Sequence, residues 1–299
     1  MKILKIVSVI AFMVAVILFG GYILKEGAKD KTGPVITIES DSIEVSVSEP
    51  REALLQGVTA TDAHDGDVTA SVRVESLSPF NESGERTVSY VAFDSDGHVS
   101  HAARTMRYTD YTPPKFRFDG PLTYPSETKD LMEKVTVTDC IDGDLTELTQ
   151  ILFDTAADTT RPGVYTARLK ITNSAGDSAE LPVTIEIFNP SVYYRLPTIN
   201  LKEQVMYLKK GDAFDAAGQL QSAVIDGIEY TFVSGNGTYG SGEESGAHTI
   251  DISRAAIEGS VDTGTTGCYE VTYTLEDPVT GTGTGTARLY VVVTEGGTK

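Results

Sequence analysis

Residues 59–69 read TATDAHDGDVT, and residues 136–146 read TVTDCIDGDLT. Further along the chain, GERTVSYVAFDSDG at 84–97 aligns with GVYTARLKITNSAG at 163–176. Self-similarity that recurs at a fixed period is typical of tandem copies of one structural unit. The sequence therefore predicts at least two related units in succession.

A third, weaker copy follows. The stretch VDTGTTGCYEVTYTLEDPVTG at 261–281 resembles ADTTRPGVYTARLKITNSAG at 157–176, but the third unit lacks the D-G-D turn and carries a Gly- and Ser-rich insertion at 234–246. We place the boundaries between the units at the proline-containing joints 111–116 and 188–197, because proline makes short, stiff linkers. The predicted domains are 34–110, 111–189 and 190–299.

The local pattern inside each unit has a period of two. Apolar and polar residues alternate, for example at Tyr165, Ala167, Leu169 and Ile171. Such alternation predicts half-buried strands, and Gly, Asp, Asn and Pro clusters between the runs predict β-turns. After the first 25 residues, only 212–226 leaves helix and strand open. We therefore predict an all-β fold of tandem immunoglobulin-like β-sandwiches after one N-terminal transmembrane helix.

The N-terminus carries a separate pattern. Residues 6–24 contain no charge and follow two lysines, and a helix of that length nearly matches a hydrocarbon core of about 30 Å. We predict a cytoplasmic tail at 1–5, a transmembrane anchor at 6–24 and a linker at 25–33. The predicted location is the cell membrane, single-pass, with the C-terminal bulk extracellular. A cleaved signal peptide is the open alternative.

Composition excludes some partners. The 299 residues carry a formal net charge of -19, so a polyanion would meet like-charge repulsion, and nucleic acid is not a predicted partner. Cys140 and Cys268 fall in different predicted domains, which leaves no disulfide within a domain. We expect two separate buried thiols, and a bridge between domains is the open alternative.

The succession P-V-I-T-I, then V-T-A-T-D-x-x-D-G-D-V-T, then G-x-x-T-V-x-Y-x-x-x-D-x-x-G resembles the bacterial Ig-like domain family named after a pesticidal crystal protein. The resemblance covers about residues 33–188 and is partial in the third unit. It implies a seven-strand-like sandwich in a spacer, adhesion or substrate-recognition role. It supplies no catalytic residues.

The two D-x-x-D-G-D turns are candidate metal sites. Each places three carboxylates within six residues, and calcium prefers several oxygen ligands. The alternative is that these side chains accept hydrogen bonds from backbone N–H groups and shape the turn. No other cofactor is predicted. The candidate ligands are Asp62, Asp65, Asp67, Asp139, Asp142 and Asp144.

Tyrosines near the third unit form a candidate binding surface, because exposed tyrosines stack on sugar rings or anchor protein partners. The alternative is that they fill the joint between units or the sandwich core. The candidate residues are Tyr193, Tyr194, Tyr230 and Tyr239.

These observations favour a protein that binds or spaces over an enzyme, since no catalytic constellation such as a nucleophile elbow is present. We predict a membrane-anchored spacer or adhesion and protein-binding array. The alternative is a carbohydrate- or cell-wall-polymer-binding protein that uses its third domain. The expected partner is a cell-surface or extracellular protein or glycan, with the membrane contacted through the N-terminal helix.

Overall fold

A computed structural model describes residues 2–27, 31–193, 196–235, 248–277, 281 and 283–295. The chain divides into two compact units, Met1–Thr109 and Asp110–Lys299. The first unit holds one β-sandwich, and the second unit holds two.

The N-terminal segment forms helix α1 (Lys2–Gly27). Across the part of the chain that the structure describes, no helix is long and apolar enough to cross a membrane. The predicted transmembrane anchor at 6–24 is corrected by this finding. The predicted single-pass location in the cell membrane is corrected with it.

The first sandwich consists of two sheets, with strand orders β1-β3-β4 and β2-β7-β6-β5. All pairs are antiparallel except β2 with β7. Both sheets contribute to one core, in which Val58 and Ala60 face Val88 and Tyr90. The strands are β1 (Val35–Ile38), β2 (Ser42–Val45), β3 (Val58–Asp62), β4 (Gly66–Asp67), β5 (Arg73–Leu77), β6 (Arg86–Phe93) and β7 (Val99–Tyr108).

The second sandwich repeats this topology, with strand orders β8-β10-β11 and β9-β14-β13-β12. The repeat in sequence is thus a repeat in connectivity. The short helix α2 (Pro190–Tyr193) follows the last strand. The strands are β8 (Lys115–Phe118), β9 (Thr123–Pro125), β10 (Val135–Asp139), β11 (Gly143–Asp144), β12 (Gln150–Phe153), β13 (Gly163–Thr172) and β14 (Ser178–Phe188).

The third sandwich has two four-stranded sheets, with orders β15-β17-β18-β19 and β16-β22-β21-β20. A tight hairpin turn at Asp226 and Gly227 joins β17 to β18, and both residues have positive φ. The stretch 212–226, which the sequence left open, contains a 3-10 turn at Ala217–Gln219 and then strand β17. The strands are β15 (Thr198–Leu201), β16 (Val205–Lys209), β17 (Leu220–Ile225), β18 (Ile228–Val233), β19 (Thr249–Asp251), β20 (Ala255–Glu258), β21 (Gly267–Glu276) and β22 (Thr284–Thr294).

The predicted all-β class is confirmed in these three sandwiches. In each sandwich the first strand belongs to one sheet and the second strand to the other, and a short crossover connects them. Examples are the crossover from β8 to β9 and the crossover from β15 to β16. Two of these crossovers lie close together in the second unit. The expected burial of Cys140 and Cys268 is wrong, since both thiols lie on strand ends or edges that are exposed.

Candidate functional site

The D-x-x-D-G-D turn of the first sandwich follows strand β3. Asp62 Oδ1 accepts hydrogen bonds from the backbone N of His64 at 2.7 Å and of Asp65 at 3.0 Å. Gly66 has φ of 74°, a conformation that costs glycine nothing. Asp67 Oδ1 accepts from the backbone N of Thr69 at 2.9 Å. The carboxylates thus act on backbone donors and shape the turn.

The middle aspartate ties this turn to the β6–β7 hairpin. Asp65 accepts from the Ser95 backbone N at 2.7 Å and from the Ser95 hydroxyl at 2.8 Å. The backbone hydrogen bond from Ser95, followed by the hydroxyl hydrogen bond, holds the pKa of Asp65 below its usual value of 3.8. The ionised form of this carboxyl is therefore favoured in the folded protein.

The second sandwich repeats both arrangements. Asp139 Oδ1 accepts from the backbone N of Ile141 at 2.8 Å and of Asp142 at 2.9 Å. Asp142 accepts from the Ser174 backbone N and hydroxyl, each at 2.6 Å. Asp144 Oδ1 accepts from the backbone N of Thr146 at 2.9 Å. Hydrogen bonds from the Thr146 side chain and backbone lower the pKa of Asp144.

Within the described ranges, no group of three or more His, Cys, Asp and Glu residues is arranged to hold a metal ion. The carboxylate oxygens at both turns accept from nearby N–H and O–H donors instead. This geometry fits the turn-forming interpretation of the six aspartates. Calcium binding at the turns stays a prediction, which a chelator tests directly.

The two turns differ at one buried position. Asp139 Oδ2 accepts from Asn173 Nδ2 at 3.1 Å. In the first sandwich Asp94 is aligned with Asn173, and its Oδ2 pairs with His98 Nδ1 at 2.7 Å. Asp62 is 7% exposed, and its Oδ2 has no hydrogen-bond partner. The first turn therefore has a buried acceptor without a donor, whereas the equivalent oxygen in the second turn accepts a hydrogen bond.

We expect this difference to appear in stability. Replacing Asp139 with alanine should lower the free energy of unfolding of the second unit by about 2–3 kcal/mol, because three donors lose their acceptor. Asp62→Ala should cost the first unit about 1 kcal/mol less, since it also removes an unsatisfied oxygen. Hydrogen exchange in each unit across a urea series measures both losses in the free energy of unfolding. A larger loss for Asp62→Ala would contradict this interpretation.

The lowered carboxyl pKa values predict a pH dependence. A carboxyl whose folded pKa lies below its unfolded pKa stabilises the fold above the unfolded value, and this stabilisation is lost as pH falls through the folded pKa. Asp65 is such a group. We expect the urea concentration at the unfolding midpoint of the first unit to decrease as the pH is lowered below about 4. Asp65→Asn should lower the urea midpoint at pH 7 and make the midpoint depend less on pH below about 4. If the variant showed the same dependence on pH as the wild-type chain, Asp65 would not be the group responsible.

The predicted tyrosine surface is divided by the structure. Tyr230 lies in the core of the third sandwich at 7% exposure, with its ring 5.3 Å from the His248 ring. Of the two interpretations left open for Tyr230, the core position is the observed one. Tyr193 ends helix α2. Tyr194 and Tyr239 lie outside the described residues.

Two other tyrosines join the second and third sandwiches within the second unit. Tyr290 of β22 is 3% exposed and packs edge-to-face on Phe118, with 5.7 Å between ring centroids. Its hydroxyl accepts from the Thr184 backbone N at 2.9 Å and donates to Thr184 O at 3.2 Å. Burial is the largest cause that raises the pKa of Tyr290. The neutral hydroxyl therefore satisfies backbone groups at an unpaired part of strand β14.

Tyr207 of β16 makes an equivalent contact with the other sheet of the second sandwich, which contains strand β8. Its hydroxyl accepts from the Phe116 backbone N at 2.7 Å, and its ring lies 5.5 Å from Lys115 Nζ. Burial raises the pKa of Tyr207 to about 12. Strand β8 is an edge strand, so this hydroxyl satisfies an N–H that the sheet leaves unpaired.

Charged side chains surround the same junction. Glu270 accepts from the Thr184 hydroxyl at 2.8 Å. Arg288 lies 3.4 Å from Glu186 and 3.4 Å from Glu270. Neither tyrosine at the junction was singled out from the sequence, because Tyr207 and Tyr290 look like ordinary members of alternating strands.

A polar cleft of about 320 Å³ opens beside this junction. Three elements line it: the β8–β9 crossover at 119–121, the β15–β16 crossover at 202–204, and the face of β15, β17 and β18 that points away from the core. Ser222 lies on that outer face and is nevertheless buried. We call this feature the junction cleft.

No family model and no curated protein matches the chain. Among solved structures, the chain is similar to the CBM51-2 and INT domains of Clostridium perfringens ZmpB in complex with GlcNAc. The identity is 22% and the TM-score 0.21, over 50% of this chain and 26% of that chain. The chain thus spans about a quarter of the ZmpB chain's length.

Cadherin structures also match. The protocadherin gammaB4 extracellular domain is similar at 13% identity and TM-score 0.19, over 89% of this chain and 50% of that chain. Mouse cadherin-23 EC22-24 matches at 13% identity and TM-score 0.18, over 88% and 99%. At these values the matches carry no argument about function. The resemblance of residues 33–188 to the bacterial Ig-like family stays a prediction.

Proposed function

We propose that the chain is a non-enzymatic recognition protein that holds a protein or glycan partner on a rigid pair of β-sandwiches. The observation that carries this proposal is the junction in the second unit. There, backbone donors of the second sandwich are satisfied by Tyr207 and Tyr290 of the third. Satisfied, buried polar contacts rigidify a junction, and a rigid surface binds a partner with less loss of conformational entropy than a flexible one.

The acidic surface narrows the partner class. A formal net charge of -19 favours neutral or basic partners and disfavours polyanions through long-range repulsion. A neutral glycan and a basic protein surface both satisfy this condition. Nucleic acid and anionic polymers do not.

Passive spacing is the second candidate function, and the same junction supports it. Two sandwiches fixed in one compact unit hold a constant separation between whatever lies at their ends. A spacer needs this rigidity but no ligand. The two functions therefore differ in whether the isolated chain captures anything.

The test is capture by the purified full chain, immobilised through a C-terminal tag. Bacterial wall fragments, extracellular-matrix proteins and soluble glycans are applied in parallel, each with calcium and with chelator. Saturable capture of one fraction supports recognition, and loss of that capture in chelator alone assigns calcium to the chain. An absence of saturable capture in every fraction would overturn recognition and favour spacing. The Asp62→Ala and Asp139→Ala variants then locate any calcium effect.

A further inference from the structure

Strand β12 forms an open edge of the second sandwich, where it pairs with β13 alone. The backbone N of Asp154 donates to Thr166 O at 3.1 Å. Hydrogen-bonded pairs alternate along an antiparallel ladder, so Leu152 also bonds to β13. The N–H and C=O groups of Ile151 and Phe153 therefore point away from the sheet. Within the described residues, none of these groups has a hydrogen-bond partner.

The equivalent edge of the first sandwich, strand β5, is protected in two ways. Glu75 is an additional residue that interrupts the register of β5 with β6, and a charged bulge of this kind obstructs pairing with another chain. The Arg51 guanidinium also donates to Val74 O at 3.2 Å. Val74 is the counterpart of Ile151 in the two ladders, so this carbonyl is already occupied in the first sandwich.

Strand β12 lacks this protection among the described residues. Its register with β13 is continuous. Leucines also replace two polar residues of the first sandwich: Leu152 is the counterpart of Ser76, and Leu148 aligns with Ser71. Leu148 is 67% exposed and Leu152 is 37% exposed. A regular edge strand with exposed apolar side chains is a template for another strand.

The strand that β12 matches best is β12 of a second copy, in antiparallel orientation. When Leu152 lies opposite Leu152 of that copy, Ile151 lies opposite Phe153, and the outward backbone groups of both residues become paired. The two leucines then form a non-hydrogen-bonded pair, in which side chains approach most closely. Gln150 lies opposite Asp154, so an amide donor meets a carboxylate.

The charges beside β12 permit this contact. Arg168 lies opposite Leu152 on β13 and pairs with Asp154 at 3.2 Å and with Glu180 at 3.0 Å. The net charge of -19 repels a second copy at long range, but salt screens such repulsion beyond about 8–10 Å. The edge itself therefore carries no excess of one sign that would oppose a second copy.

We propose that two copies of this chain associate through β12 and form one continuous sheet across a twofold axis. A seam of four residues per copy is expected to bury less than the about 1,200 Å² of a stable interface. We therefore expect weak association, with a Kd on the order of 100 µM. Pairing would present any binding surface twice and so increase avidity. This inference goes beyond the proposed recognition function and does not depend on it.

The experiment is sedimentation equilibrium of the purified full chain, from about 5 µM to about 1 mM. Leu152→Lys and Leu152→Glu each place like charges opposite each other across the seam, which is destabilising. An equimolar mixture of these two variants places opposite charges there instead. Ser76→Lys is the matched control, because it adds the same charge at the counterpart position of the protected strand β5.

We expect the wild-type chain to dimerise reversibly, and each Leu152 variant to raise the Kd at least about tenfold. The mixture should restore association, which would also show that both variants are folded, and Ser76→Lys should leave the Kd unchanged. A wild-type chain that stays monomeric at about 1 mM would overturn the proposal. Association that both Leu152 variants retain would place the contact on another surface and overturn it too. Failure of the mixture to associate would contradict the twofold pairing of β12. None of these results bears on the capture test, so the recognition function stands or falls separately.

Discussion

Replacing Tyr290 with alanine is expected to lower the free energy of unfolding of the second unit by about 3–5 kcal/mol. The ring belongs to a strand of the third sandwich but packs in the core of the second, against Phe118. Its removal opens a cavity and also leaves the backbone N and O of Thr184 without their partner. Urea unfolding of the full chain, followed by circular dichroism, measures the loss.

Tyr290→Phe separates the ring from the hydroxyl. This variant keeps the packing and removes only the two hydrogen bonds, so we expect a loss of about 1–2 kcal/mol. A second consequence is specific to the junction: Tyr290→Ala should allow the second and third sandwiches to unfold at different urea concentrations. A loss below about 1 kcal/mol for Tyr290→Ala, or equal losses for both variants, would contradict this role of the ring.

Arg104→Met in the first sandwich is expected to cost about 2–4 kcal/mol. Arg104 is 5% exposed and donates to Tyr90 Oη at 2.7 Å, to Leu54 O at 2.9 Å and to Gln56 O at 2.8 Å. Hydrogen bonds from a charged donor are among the stronger ones in proteins. The guanidinium thereby joins strand β7 to the chain segment between β2 and β3.

Arg107→Met is the matched control for this prediction. Arg107 lies on the same strand, but its side chain is exposed and its ion pair with Glu85, at 3.1 Å, is on the surface. Such pairs contribute about 0–1 kcal/mol. Comparable unfolding midpoints for Arg104→Met and Arg107→Met would contradict the assigned role of Arg104.

The turns were predictable because their contacts are local. Asp62 and Asp139 reach donors two and three residues ahead, and glycine supplies the positive φ at Gly66 and Gly143. Short-range hydrogen bonds of this kind depend on residue type and spacing, which the sequence shows directly. The period-two alternation predicted the strands for the same reason.

The junction was not predictable because its contacts join distant parts of the chain. Tyr290 reaches Thr184, and Tyr207 reaches Phe116, across the boundary between two sandwiches. Each tyrosine satisfies a backbone group that its sheet leaves unpaired, and no local pattern reveals which backbone groups those are.

Two predictions failed for different physical reasons. The apolar run at 6–24 indicated a helix, and α1 covers it, but the inference from an apolar helix to a membrane span did not hold. The two cysteines were expected to be buried because free thiols usually are. Cys268 lies near the start of β21 on an outward-facing position, where alternation places its neighbour Tyr269 towards the core.

The proposed rigid surface requires residues 110–299 to act as one unit. Native-state hydrogen exchange across a urea series tests this directly. We predict that amides in β13 and β14 and amides in β21 and β22 exchange with one common opening free energy, and that Tyr290→Ala separates them. Distinct opening free energies in the wild-type chain would show two independent sandwiches and contradict the account.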